Sequence, residues 1–273
     1  MSNEFIKQEY LDAIARLRLI DDFFMRKAFE NNIPAVELLL RIILQDDKIK
    51  VLEARSQYGI HNLYGHSVQL DVLAKDSNGK YFNVEVQNTD KGASPQRARY
   101  YLGVVDTAHF PKNTAYRKLF ETYVIFITQE DVLGEGRPIY HIERKIEESG
   151  NNFCDGSHII YINGSCRYDQ TALSRLMHDF FCAKASDMYY RQLQERVKYL
   201  KETKEGVQTM CKIMEELKQE GFAQGEARGK ALGEERFALL MQKLYALGRT
   251  DDVQRISVDK DYRNALMKEF AIQ

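Results

Sequence analysis

The chain has 273 residues, of which 44% are hydrophobic and 29% are charged, and its net charge at pH 7 is −1. These values are typical of a soluble globular protein of one or two domains. The net charge excludes a global electrostatic attraction to nucleic acid, so a DNA-binding role requires a local basic patch. No apolar run is long enough to span a bilayer, which argues against a membrane role.

The first residues, Met1 to Phe5, lack the charged and apolar regions of a signal peptide. Cysteines occur at four distant positions without a C-x-x-C pair: Cys154, Cys166, Cys182 and Cys211. Such spacing indicates reduced thiols rather than a zinc or disulfide framework, and we expect a cytoplasmic protein.

The N-terminal part of the chain is predicted to be helical. Apolar residues recur at helical spacing over residues 8–31, and Pro34 suits the first turn of a second helix over residues 35–44. Residues 49–53 are predicted to form the first strand. This strand leads through residues 57–60 into the most informative part of the chain.

That part is a hairpin in which Asp71 and Glu85 flank a turn at residues 77–80. Strand side chains alternate faces, so Glu85 and Gln87 point the same way and Val86 points the other way. A two-residue loop would pair Asp71 with Val86. A three-residue loop over residues 77–79, with Gly79 left-handed, would pair Asp71 with Glu85.

The three-residue loop is the preferred prediction because it leaves one face wholly apolar and the other polar. It also predicts further pairs across the hairpin: Gln69 with Gln87, Leu70 with Val86, Val72 with Val84, and Ala74 with Phe82. Two carboxylates and an amide would then meet on one face, which suits a divalent metal and metal-assisted phosphodiester hydrolysis. The alternative is the solvated outer face of an amphipathic hairpin.

Downstream of the hairpin, residues 94–107 are predicted to be a helix and residues 122–128 a buried strand. Gly134, Gly136 and Pro138 mark a loop. Two further strands are predicted at residues 139–144 and 158–162, and Asn163-Gly164 ends the sheet region.

From Asp169 onward the pattern is helical. Glycine recurs every fourth residue at four positions: Gly221, Gly225, Gly229 and Gly233. This repeat is either a helix stripe that lets a partner helix approach closely or a flexible linker, and the flanking charges exclude a membrane role. Short helices at residues 237–247, 250–256 and 261–270 are predicted to form a helical end piece.

Several of these segments together resemble one family. The segments are Leu70-Asp71-Val72-Leu73-Ala74, the turn, Asn83-Val84-Glu85-Val86-Gln87, then Arg97 and Tyr100-Tyr101, with Asp22-Phe23-Phe24-Met25 upstream. Their order and spacing resemble the PD-(D/E)XK nuclease-family transposases, the Rpn-type recombination-promoting nucleases. The resemblance covers roughly residues 15–200.

The resemblance implies an α/β fold with a restriction-endonuclease-like PD-(D/E)XK core, a mixed sheet flanked by helices, followed by a helical C-terminal region. The core is expected to run helix, three antiparallel strands, helix, strand. We assign residues 1–185 to the nuclease-like domain and residues 186–273 to the helical region, with the glycine repeat at residues 221–233.

The resemblance also implies a site. Asp71 and Glu85 would bind Mg²⁺, which Mn²⁺ can replace, together with the backbone carbonyl of Val86. Gln87 stands where most of the superfamily has lysine, and an amide can orient a water but supplies no charge. Arg97 or Arg99 would contact the phosphate of DNA, although Arg97 could instead form an internal salt bridge.

Two acidic residues upstream are accessory candidates. Asp22 either lies near the metal or pairs with Arg26 one turn along its helix. Glu37 corresponds to a glutamate that joins the metal site in some branches of the superfamily.

The leading hypothesis is therefore a Mg²⁺-dependent DNA endonuclease linked to DNA recombination. The alternative is a nuclease fold with weak or no turnover that acts as a DNA- or protein-binding module. A third hypothesis assigns the C-terminal helices to formation of a homo-oligomer.

Overall fold

The computed structural model describes residues 8–61, 66–87 and 92–272. Its helices are α1 Gln8–Arg16, α2 Asp22–Phe29, α3 Ile33–Leu44, α4 Pro95–His109, α5 Ala172–Phe181, α6 Arg191–Glu202, α7 Lys204–Ala246, α8 Thr250–Val258 and α9 Lys260–Glu269. Its strands are β1 Val51–Ile60, β2 Val68–Asp76, β3 Tyr81–Gln87, β4 Thr122–Thr128, β5 Ile139–Ile142 and β6 Ser157–Asn163.

The strands of these ranges form one mixed sheet in the order β1-β2-β3-β4-β6-β5. Neighbours β1, β2 and β3 are antiparallel, β3, β4 and β6 are parallel, and β5 is antiparallel to β6. The parallel step from β3 to β4 requires a crossover, which α4 provides. The predicted α/β fold is confirmed, including the order of helix, three antiparallel strands, helix and strand.

The hairpin between β2 and β3 has the predicted register from its turn as far as Val72 and Val84. The other predicted pairs are wrong, because regular pairing stops at Val72: Asp71 with Glu85, Leu70 with Val86, and Gln69 with Gln87. Val72 pairs with Val84 and Ala74 with Phe82. The loop has three residues, because the Asp76 N–H donates to the Lys80 carbonyl at 3.1 Å. Gly79 has φ +82°, the left-handed conformation that only glycine adopts at little cost.

Helices cover both faces of the sheet. On one face, Met25 and Phe29 of α2 and two residues of α3 line a small apolar cavity with Val72 and Val84. On the other face, α4 buries Tyr101 and Val105 in a cluster with residues of β2, β4 and β6: Leu73, Val124, Phe126 and Tyr161. The site candidates on β2 and β3 therefore lie in the middle layer of the fold.

Three predictions about the elements are wrong. The predicted helix over residues 8–31 is broken between α1 and α2, because the Ile20 N–H donates to the carbonyl of Phe180 rather than within a helix. The first strand is longer than predicted, since β1 pairs with β2 as far as Ile60. Leu70 is not on one apolar face with Val72, because it joins the cluster beneath α4.

Contacts divide the chain into two compact units, one ending at Met210 and the other starting at Cys211, and α7 runs through the division. In the first unit, α6 contacts α2 and α3. Arg196 of α6 donates to the carbonyls of Lys27, Ala28 and Glu30. The predicted boundary between residues 185 and 186 stays a prediction.

The second unit contains its own small core, formed by the end of α7 with α8 and α9. Its buried members are Leu240, Leu244, Val253, Ile256 and Leu266. The predicted helical C-terminal region is confirmed, but residues 237–247 are mostly the end of α7 and not the separate short helix that was predicted. None of the helices in the described part of the chain is both long and apolar enough to cross a membrane.

The glycine repeat lies within α7, which is continuous from Lys204 to Ala246. A Cβ atom placed on Gly221, Gly225, Gly229 or Gly233 meets no other atom within 4 Å. The repeat is therefore helical rather than an irregular linker, and its glycine face is open in this chain.

We expect Gly229→Ala to stabilise α7 by about 0.5–1 kcal/mol, because alanine loses less backbone entropy in a helix and nothing obstructs its methyl group. Circular dichroism during thermal unfolding measures the change in helix stability. Gly248→Ala is the matched control. Gly248 has φ +70°, so the same substitution there should destabilise the chain by about 1 kcal/mol. Equal effects of the two substitutions would contradict the prediction.

Candidate active site

Asp71 and Glu85 lie where β2 and β3 stop pairing through their backbones. The regular pairs end at Val72 with Val84. Beyond that point the Asp71 N–H donates to Glu85 Oε1 at 3.2 Å, and the Val86 N–H donates to Asp71 Oδ2 at 3.1 Å. The two carboxylates thus replace carbonyl groups of the ladder, and each holds the other's strand in place.

The neighbouring strand is also irregular at this level. Ser56 pairs with Val72 and Tyr58 with Leu70, which places Gln57 beside Asp71. Gln57 has φ +53°, an uncommon conformation for a residue other than glycine. Regular backbone pairing is therefore interrupted at Asp71 both toward β1 and toward β3. Such an interruption lets a side chain enter the plane of the sheet.

Both carboxylates are buried and each has an arginine nearby. Asp71 is 6% exposed and Glu85 is 0% exposed. The oxygen of Asp71 that is not bound to Val86 lies 3.6 Å from Arg26 Nε. The second oxygen of Glu85 lies 3.4 Å from Arg97 Nη2. The predicted alternative of a solvated outer face is wrong, because α4 covers this side of the hairpin.

Burial dominates the titration of the pair. The pKa of Asp71 is raised to about 7, first by removal from water and second by the nearby Asp22 carboxylate, while the Val86 N–H and Arg26 oppose the rise. Burial and the charge of Asp71 raise the pKa of Glu85 to about 8. Two carboxylates whose charged forms are disfavoured in this way are typical of a functional site that gains a cation.

Helix α2 brings Asp22 and Arg26 to the pair. Arg26 Nε donates to Asp22 Oδ1 at 2.7 Å, and its guanidinium also faces Asp71. Asp22 is thus paired with Arg26, as the first alternative predicted, and it also lies close enough to Asp71 to raise the pKa of that carboxylate. Its role beside a metal stays a prediction. Arg26 is a site residue that the sequence pattern did not single out, although its spacing of four from Asp22 is a visible signal.

Helix α4 brings Arg97, which contacts several groups at once. Its guanidinium donates to Gln87 Oε1 at 3.3 Å and to the Gly92 carbonyl at 2.7 Å. Its Nε donates to the Tyr101 hydroxyl at 2.7 Å, and Nη2 faces Glu85. Arg97 therefore joins Glu85 to Gln87, which are two of the three polar side chains of β3 on this face; the third is the buried Asn83.

Two predicted candidates lie apart from this group. Glu37 accepts from the Val51 N–H at 2.9 Å and pairs with Arg41. Val51 is opposite Asp76, five residues along β2 from Asp71, a distance of about 16 Å. Arg99 is exposed on α4, two residues from Arg97 and so on another side of the helix.

The donor set suits a divalent cation. Carboxylate and carbonyl oxygens are the ligands that Mg²⁺ prefers. The Gln87 carbonyl points to the β4 side of β3, where it accepts from the N–H of Gln129, the residue after β4. The Val86 N–H points to the opposite side, toward β2. Since successive residues of a strand direct their polar groups to opposite sides, the Val86 carbonyl also faces β2, beside the carboxylates. Each carboxylate also keeps one oxygen that has no backbone donor.

The fold and this acidic pair on adjacent strands define a nuclease-like α/β protein. A model of the PD-(D/E)XK nuclease family transposases matches residues 20–221, and the chain belongs to that family. Searches of curated proteins and of solved structures found no match to the chain. The family match supports a nuclease-related function.

Proposed function

We propose that the protein is a Mg²⁺-dependent endodeoxyribonuclease that hydrolyses phosphodiester bonds of DNA, with Mn²⁺ able to replace Mg²⁺. The observation that carries the proposal is the reciprocal hydrogen bonding that holds the buried carboxylates of Asp71 and Glu85 side by side. A rigid pair of this kind is prepared for a cation before the substrate arrives.

Asp71, Glu85 and the carbonyl of Val86 would hold the cation. When bound, the cation lowers the pKa of a coordinated water and offsets charge on the scissile phosphate. The protein's contribution is to keep both carboxylates in one orientation and to exclude bulk water, since Glu85 is fully buried. Low polarity around the site strengthens every electrostatic interaction within it.

Gln87 and Arg97 would act on the water and the phosphate. Gln87 Oε1 accepts from Arg97, which leaves the amide N–H groups of Gln87 to orient a water. Arg97 carries the positive charge that Gln87 lacks, and its guanidinium can bind two oxygens of a phosphate. Arg26 and Asp22 would form the outer edge of the site, where the Asp22 side chain is 45% exposed.

The test is cleavage of supercoiled plasmid DNA in Mg²⁺ or Mn²⁺ by the native chain and by Asp71→Ala. We expect nicked and linear products from the native chain, and no products from the variant or in the presence of a chelator. Equal activity of the two proteins would overturn the proposal.

A second candidate function is a nuclease fold that binds DNA or protein without turnover. Two observations favour it: Glu85 is inaccessible, and each carboxylate already faces an arginine. Calorimetric titration with Mn²⁺ separates the two functions. A nuclease should bind Mn²⁺ with an affinity that depends on Asp71 and Glu85, whereas a module without a metal site should not.

Gly92 tests the role of Gln87 without altering any charge. A Cβ atom on Gly92 would lie 1.7 Å from Gln87 Oε1. We therefore expect Gly92→Ala to displace the amide and reduce cleavage on the order of 10²-fold, since small displacements near reacting groups have effects of that size. Plasmid cleavage rates measure the change.

Gly103→Ala is the control for Gly92→Ala, because a Cβ atom at Gly103 of α4 meets nothing within 4 Å. We expect this variant to retain native cleavage rates. Native activity in both variants would show that the position of the Gln87 amide is unimportant.

We also propose that the C-terminal helices self-associate. Apolar side chains remain exposed along α7, with Phe222 at 72% and Leu217 and Leu232 each at 43%. Light scattering on the native chain and on a chain truncated before Gly221 tests this proposal. An unchanged number of subunits after truncation would count against it.

A further inference from the structure

We propose a second metal site, separate from Asp71 and Glu85, in which His178, Asp179 and Cys182 bind Zn²⁺. These residues occupy the C-terminal end of α5 and the residue that follows it. One ligand atom of each lies within 4.8 Å of the other two, which makes them the one such group among the described residues.

The separations of the His178 imidazole from the other two ligand atoms suit tetrahedral zinc. His178 Nδ1 lies 3.4 Å from Cys182 Sγ and 3.4 Å from Asp179 Oδ1. Zinc bonds of about 2.0–2.3 Å at tetrahedral angles place neighbouring ligand atoms about 3.3–3.6 Å apart. Two of the three separations therefore already have the tetrahedral value, and the third, between the Cys182 and Asp179 ligand atoms, lies within 4.8 Å.

The site is supported by its surroundings. Asp179 is 0% exposed, and its two oxygens accept from the backbone N–H groups of Tyr189 and Tyr190 at 2.8 Å each. The Tyr189 ring packs edge-on against the His178 imidazole at 4.8 Å between ring centroids. Hydrogen bonds to a ligating carboxylate and packing against a ligating imidazole are the contacts that orient metal ligands.

The combination of donors selects the ion. A thiolate, an imidazole and a carboxylate together suit Zn²⁺ and disfavour Mg²⁺, which binds oxygen. One thiolate and one carboxylate would neutralise the charge of Zn²⁺. His178 and Cys182 are half-buried, so a water can complete the fourth position. The bound ion would connect to the segment before α6 only through Asp179, which accepts from the N–H groups of Tyr189 and Tyr190.

The experiment measures binding of Zn²⁺, and of Co²⁺ as its spectroscopic substitute, to the full-length metal-free protein. We expect one equivalent of tight Zn²⁺ and a sulfur-to-cobalt charge-transfer band. Cys182→Ser and His178→Ala should weaken Zn²⁺ binding at least about 100-fold, and Cys182→Ser should abolish the band. Asp179 is left unaltered, because its carboxylate also binds two backbone groups.

Two controls keep the outcome unambiguous. Cys166→Ser removes another partly buried thiol and should leave the band intact. Asp71→Asn should leave Zn²⁺ binding here unchanged, so the result does not depend on the proposed nuclease site. Absence of the band in the native chain, or its persistence in Cys182→Ser, would overturn the proposal. Circular dichroism of each variant verifies that the fold is retained.

Discussion

We expect Glu85→Gln to make the metal-free protein more stable at pH 8 while it reduces DNA cleavage on the order of 10³-fold. The stability increases because Glu85 is fully buried and its charged form is disfavoured, as the rise of its pKa to about 8 indicates. Glutamine has the same shape, and its amide oxygen can still accept from the Asp71 N–H. Activity falls because a metal ligand is lost, which costs several kcal/mol of transition-state stabilisation.

Denaturant unfolding at pH 8 and plasmid cleavage measure the two effects of this substitution. Glu121→Gln is the matched control. Glu121 is a partly exposed carboxylate that pairs with Lys80 and accepts from the Tyr123 hydroxyl, and these hydrogen bonds lower its pKa. Neutralising Glu121 should lower stability slightly and leave cleavage unchanged. If Glu85→Gln lost stability, or if this variant cleaved DNA at the native rate, the assignment of Glu85 as a buried metal ligand would be contradicted.

The second large effect is a loss of stability of the metal-free protein between about pH 5 and pH 8. Asp71 and Glu85 have ordinary pKa values of 3.8 and 4.5, and burial raises them to about 7 and about 8. The folded state therefore binds more protons than the unfolded state in this range. Stability is greatest when both groups are protonated, and it falls as the pH rises through the folded pKa values, on the order of a few kcal/mol.

Chemical unfolding at a series of pH values, with and without Mn²⁺, measures this dependence. We expect Mn²⁺ to restore stability at pH 8, because a cation bound only by the folded state adds to the free energy of unfolding. Glu85→Gln should flatten the pH dependence and remove most of the response to Mn²⁺. A native free energy of unfolding that rises from pH 5 to pH 8 would refute the prediction.

Local rules were sufficient for the hairpin and for much of the sheet. The alternation of apolar and polar residues, together with Gly79 in a three-residue loop, determined which residues of β2 and β3 pair between the turn and Val72, but not where regular pairing ends. Local rules failed at the break between α1 and α2. The apolar pattern continues across this break, but the Ile20 N–H donates to the carbonyl of Phe180, which is 160 positions away in sequence. They also underestimated β1, whose residues are largely exposed and carry little apolar pattern.

The sequence by itself determined the order of the elements, the register of the hairpin and the family signature around Asp71, Glu85 and Gln87, because these depend on residues close together in the chain. Only the tertiary structure decided how the carboxylates are used. Packing of α4 buries Glu85, and the end of backbone pairing after Val72 turns both carboxylates into hydrogen-bond acceptors for the opposite strand. The approach of α2 adds Arg26, which lies far from β3 in sequence, and the approach of α4 adds Arg97, which follows Glu85 by 12 residues. Burial depends on the whole packed chain, so no local pattern could reveal it, whereas the spacing of Arg26 from Asp22 and the position of Arg97 after the hairpin were visible in the sequence.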